Sequence, residues 1–109
     1  MAATDLSSLA RGHGVAHSLV SLEASAGDAR QVILPDWARS VGVTFRDSAG
    51  AAAAGTVALT GTDGAAQSST AEIVGEGIQW REAILGGASL YLGGDDDGKA
   101  LVTVSSVRV

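Results

Sequence analysis

The chain has 109 residues, a formal net charge of −5 and no cysteine. That length supports a single domain. The acidic balance, with seven Lys and Arg scattered along the chain, argues against a nucleic-acid partner, which needs clustered cations to displace phosphate counterions.

Without Cys there is no disulfide framework and no thiolate zinc site. The hydrophobic fraction of 46% overstates the core, because twenty of those residues are Ala, and Ala and Gly together make about a third of the chain. Only four residues are aromatic: two Trp, one Tyr and one Phe. A small domain buries roughly 60–70% of its unfolded surface. A core this thin, with no disulfide to staple it, points to oligomerisation or docking on a larger body.

Residues 1–14 read as an N-terminal arm. Asp5 can cap a helical turn with Leu6, Leu9 and Ala10 on one face, ended by Gly12 and Gly14. One such turn is marginal in water, so it is expected to be disordered or to order against a neighbour. The arm lacks the basic start and apolar run of a signal peptide, and no apolar run approaches the ~20 residues that span a bilayer. The expectation is a protein made in the cytoplasm and not secreted, with no membrane partner.

From Val15 the pattern is β. "VAHSLVSLE" predicts a strand and "ASAGD" a turn; "RQVIL" predicts a second strand, stopped by Pro35, which cannot donate to a ladder. "RSVGVTF" alternates Val41, Val43 and Phe45 against Ser40, Gly42 and Thr44, a half-buried strand with a solvated or partner-facing side. "DSAGAAAAG" is a small-residue loop whose Ala run has no amphipathic face. "TVALT" predicts a strand with Val57 and Leu59 inward, followed by the Gly-rich loop "GTDGAAQSST". "AEIV", "IQWREAIL", "SLYL" and "KALVTVSSVRV" complete the set. In the last, the apolar phase flips at Ser105–Ser106, as a β-bulge would make it do. The fold class expected over residues 15–109 is all-β: a single β-sandwich or small β-barrel of about eight short antiparallel strands.

Candidate chemistry is sparse. "GGDDDGK" (Gly93–Lys99) holds consecutive carboxylates, which tend to point apart, whereas calcium loops place theirs at alternate positions. It reads as a hairpin loop between "SLYL" and "KALVTV". His13 and His17 are four apart, but on a strand that spacing is ~13 Å. "GTDGAA" lacks the basic residue and following helix of a phosphate cradle. No serine sits in a G-x-S-x-G elbow. The expectation is no catalytic residue, no cofactor and no metal, hence no enzyme.

The aromatics remain. Trp37 follows the only Pro, in "ILPDWARS", with Arg39 two residues on and placed to stack on it. Trp80, in "IQWRE", reads as core or interface, and Tyr91 faces away from Leu90 and Leu92. Aromatic and Arg residues are what subunit contacts favour. The expected interaction residues are Leu6, Leu9, Arg11, Trp37, Arg39 and Tyr91.

The strand corner "ILPDWARSVGVTF", the loop "GTDGAA", the strand "SLYL" and the short arm give a chain that resembles the small β-sandwich structural proteins of tailed bacteriophages, of the head decoration, cement or spike type. The likeness spans most of residues 15–109. It implies a non-enzymatic virion protein that binds the capsid exterior as a homo-oligomer, with a trimer favoured, and contacts the major capsid protein or another virion protein. The lack of a long helix and a basic tail argues against scaffolding or DNA packaging. A tail or fibre component, and a lectin-like module binding surface glycans through Trp37 and Tyr91, are the alternatives.

Overall fold

The computed structural model describes residues 3–10, 14–22, 30–59, 72–84, 88–94 and 98–107. These form strands β1 (Ala3–Asp5), β2 (Val15–Ser21), β3 (Arg30–Ile33), β4 (Ser40–Arg46), β5 (Gly55–Ala58), β6 (Glu72–Val74), β7 (Trp80–Ala83), β8 (Ser89–Gly94) and β9 (Lys99–Ser105), and no helix. The protein is an all-β sandwich. One sheet runs β1-β3-β8-β5-β6 and the other β2-β9-β4-β7.

The strand order has a simple logic. From β2 onward the first strand pairs with the last, antiparallel: β2 with β9, β3 with β8, β4 with β7 and β5 with β6. Wrapping that nested set brings β4 beside β9 and β5 beside β8. This is the strand order of an eight-stranded jelly roll. β1 is an addition, pairing parallel to β3 at the sheet edge.

Alternation supplies the core. Ala100, Val102 and Val104 of β9 face inward and are fully enclosed, as are Val43 of β4, Val32 of β3 and Leu90 and Leu92 of β8. The single Phe, Phe45, reaches across to the opposite sheet and lies on Gly55, where an added Cβ would sit 2.4 Å from its Cδ1. Gly94 pairs with Gly55 across the β5–β8 ladder and is similarly close to Leu22. The glycines that thin the core also make the floor on which its largest fully enclosed side chain rests.

Several expectations change. The arm forms no helical turn: Ala3–Asp5 is a strand, Leu6 N–H donates to Ile33 C=O at 2.8 Å, and Leu9 N–H closes a turn onto Leu6 C=O. Asp47 organises the start of the Ala-rich loop, its Oδ1 accepting from Ala49 and Ala51 N–H, both at 2.9 Å. The chain then returns beside Phe45 through an Arg46–Ala52 bridge instead of coiling. Leu59, expected inward, falls one residue past the end of β5 and is exposed. The terminal phase flip is no bulge: β9 ends at Ser105, Ser106 N–H turns to Gly14 C=O, and Val107 is exposed. β8 and β9 lie in different sheets, so "GGDDDGK" joins the two sheets and is not a hairpin loop; Asp95–Asp97 themselves fall outside the described residues.

Candidate functional site

The corner at Pro35 is built from its own backbone outward. Pro35 is buried, and its carbonyl accepts from Ala38 N–H at 3.2 Å to close a turn that displays Asp36 and Trp37. The Arg39 guanidinium does not lie free to stack on Trp37. Its Nη1 donates to the carbonyls of Asp36 (2.8 Å) and Ala38 (2.9 Å), bracing the turn. Arg39 N–H donates to Ser105 C=O and its own C=O accepts from Ile84 N–H, which ties the corner to the ends of β9 and β7.

Trp37 is half-buried, packed against the core, and its Nε1 donates to Leu9 C=O at 3.0 Å. Leu6 is a core member and Leu9 packs beside it. Leu6, Leu9 and Trp37 therefore do come together, as a seam between arm and corner within one chain, while Arg39 braces the corner from its own turn. Of the other expected interaction residues, Arg11 lies outside the described residues, as does His13. Tyr91 stands apart on the outer face of β8, half-buried, opposite Gln31 and Ala58. Gln31 Nε2 reaches Ser89 Oγ (3.4 Å) and Tyr91 OH (3.5 Å), at the outer limit of hydrogen bonding.

Trp80 is a core residue. It enters from β7, and its Nε1 donates to Glu72 Oε2 of β6 at 2.8 Å, joining the edge strands of the two sheets. The outer face of β4, expected to be solvated or partner-facing, is partly covered: Ser40 Oγ donates to Val107 C=O at 2.7 Å, and Gln79 lies over Gly42.

His17 is exposed on β2 with Nδ1 2.9 Å from Thr103 Oγ1. Asp5 titrates below the usual carboxylate range, because its side chain accepts hydrogen bonds from Ser7. Among the described residues no three of His, Cys, Asp or Glu group as metal ligands. A shallow groove of about 330 Å³ on the outer face of the first sheet is lined by Ala54, Gly55, Thr56, Ile73, Gly93 and Gly94. Its polar side chain is Thr56, whose Oγ1 is enclosed without a partner among the described residues. A second groove, of about 220 Å³ and mainly apolar, lies between Leu59, Ala83, Ile84, Ala88 and Ser89. "GTDGAA" falls outside the described residues, as does most of the loop that holds it. Among the described residues no helix is long and apolar enough to cross a membrane.

What sequence reading missed is the outward apolar set. Val15 and Leu19 on β2, Ile73 on β6, and Ile78 beyond the Gly75–Gly77 turn are all substantially exposed, with Ile73 at 84%. No family model matches the chain, and neither curated proteins nor solved structures yield a match.

Proposed function

We propose that the protein is a non-enzymatic structural subunit of a tailed-phage virion, decorating or stabilising the capsid exterior as a homo-oligomer bound to the major capsid protein or another virion protein. The observation that supports this most is the placement of apolar side chains outward, at the edges of both sheets, in a chain whose net charge of −5 otherwise favours solvation. Such positions gain free energy when a neighbour covers them. The jelly-roll order adds a fold-level analogy, since the same architecture builds viral capsid and lectin domains. A tail or fibre subunit uses the same logic with a different neighbour.

The test is the thermal stability of phage heads assembled with and without the chain, followed by a dye that reports DNA release. A decorating subunit raises the release temperature, and re-adding purified protein restores it. An unchanged release temperature removes the stabilising role.

A second reading, a lectin-like module, has one observation in its favour: Tyr91, Gln31 and Ser89 share one sheet face and carry three polar groups beside a ring. Trp37 supports it less, because its indole N–H is engaged by Leu9. Binding on a glycan array that Tyr91→Ala abolishes is the outcome that would favour it.

A further inference from the structure

Among the described residues the sandwich has four sheet edges: β1 and β6 on one sheet, β2 and β7 on the other. Exposed edges invite pairing with other chains, and proteins blunt them with short strands, charges, Pro or bulges. Three of these edges follow that rule. β1 has three residues and carries Asp5, β6 has three and carries Glu72, and β7 has four and carries Arg81 and Glu82.

β2 does not. It has seven residues, "VAHSLVS", with no Pro, no Gly, no Lys and no acid. It pairs with β9 without a break from Val15↔Ser105 to Ser21↔Lys99, so no bulge bends it away. Among the described residues no strand pairs with its other side. On its outer face Val15 is 46% and Leu19 54% exposed.

We propose that β2 is a self-association edge: two copies of the chain join β2 to β2, antiparallel across a twofold axis, making one continuous sheet of eight strands. The partner is a second copy for two reasons. The strand is self-complementary, because a twofold at Ser18 sets His17 opposite Leu19, Ala16 opposite Val20 and Val15 opposite Ser21. Each such pair joins positions of the same parity, so the exposed His17 meets the exposed Leu19 and Ala16 meets the buried Val20, as the period of two requires. The charge pattern agrees: two copies of a chain at −5 repel, and β2 is the long edge at which they meet without opposed carboxylates. Full overlap of seven residues gives a ladder of ~24 Å, with the outer-face apolar side chains of the two strands closing over one another.

The inference rests on the assembly reading above, and puts in place of the trimer that the resemblance implies an isologous contact on one surface, which closes at two copies. The experiment is sedimentation equilibrium of the full purified chain over a concentration series, with Leu19→Lys as the variant and amide hydrogen exchange as a second readout. Leu19 is exposed, so the substitution leaves the fold intact, which an unchanged circular dichroism melt verifies. The expected result is a dimer of twice 10.8 kDa, weakened at least about tenfold by Leu19→Lys, with β2 amides losing protection only in the variant. A wild-type monomer overturns the proposal. So does a trimer, because an odd number of copies leaves one β2 unpaired, and so does a dimer that Leu19→Lys leaves unchanged. A monomer that still stabilises phage heads removes the β2 contact and keeps the function; a dimer without effect on heads does the reverse.

Discussion

The ring of Phe45 lies on Gly55 so closely that a methyl group there would sit 2.4 Å from Cδ1 and 2.5 Å from Cε1. The two residues belong to facing sheets, so this contact fixes how closely the sheets approach. Gly55→Ala must displace the largest fully enclosed side chain of the core, and overpacking of this kind costs about 1–3 kcal/mol. Gly50 is the control. It sits at φ 89 in the Asp47 turn with nothing within 4 Å of an added Cβ, so Gly50→Ala pays for backbone conformation alone, about 1 kcal/mol. Urea unfolding of the pair is expected to rank Gly55→Ala as the more damaging, and the reverse order would refute the packing argument.

Trp80 and Glu72 join the edges of the two sheets through one hydrogen bond of 2.8 Å. Glu72→Leu leaves the indole N–H of a largely buried Trp without that acceptor, an expected loss of about 1–2 kcal/mol. Glu72→Gln keeps an acceptor and is expected to cost less than half as much. Thermal melts of the two variants followed by Trp fluorescence check this. Equal losses would mean that the contact is incidental.

The arm is part of the domain's own fold. Leu6 is 8% exposed, Leu6 N–H donates to Ile33, and Leu9 C=O accepts from Trp37. Deleting residues 1–10 removes a buried Leu and uncovers Trp37, an expected destabilisation of about 2–4 kcal/mol from lost burial and the orphaned indole N–H. Isothermal chemical unfolding of the isolated protein gives the answer. A truncated chain as stable as the parent would return the arm to a role outside the domain.

Asp5 provides a small pH signature. Its side chain accepts hydrogen bonds from Ser7, which stabilise the ionised form and lower its pKa in the folded chain. The contribution is present above the unfolded carboxylate value of about 3.9 and is lost as pH falls through the lower folded value. An NMR titration is expected to show Asp5 titrating below the ordinary Asp value, with the Ser7 amide shift following the same curve. Asp5→Asn should flatten that curve.

How much of this was legible in the chain depends on where side-chain chemistry decided the outcome. Val41, Val43 and Phe45 alternate with Ser40, Gly42 and Thr44, and β4 follows with the apolar set inward. β2 was not legible in that way: its odd positions carry Val, His and Leu, its even ones Ala, Ser and Val, and either face could be the core. Pairing with Ala100, Val102 and Val104 of β9 settles it, a contact eighty or more residues away in sequence. The nested pairing of first strand with last is equally non-local, so the jelly-roll order was out of reach. At Ser105–Ser106 a strand end imitates a bulge, because both reverse the phase.

The internal partners of the candidate site were out of reach for a related reason. Trp37 and Arg39 have the composition of a contact surface, and that chemistry is indifferent to whether the partner is another chain or the same one. Leu9 and the carbonyls of Asp36 and Ala38 take up the groups expected to face outward. The exposed Leu19 and Ile73 carry no sequence signal that separates them from core residues.

The most direct test of the proposed function is whether the chain travels with particles. Phage lysate from cells making an epitope-tagged chain is banded on a density gradient, and the tagged protein is quantified against the major capsid protein. The account predicts that the chain bands with intact heads at a fixed copy ratio that survives rebanding. Tagged protein left wholly at the top of the gradient would contradict it.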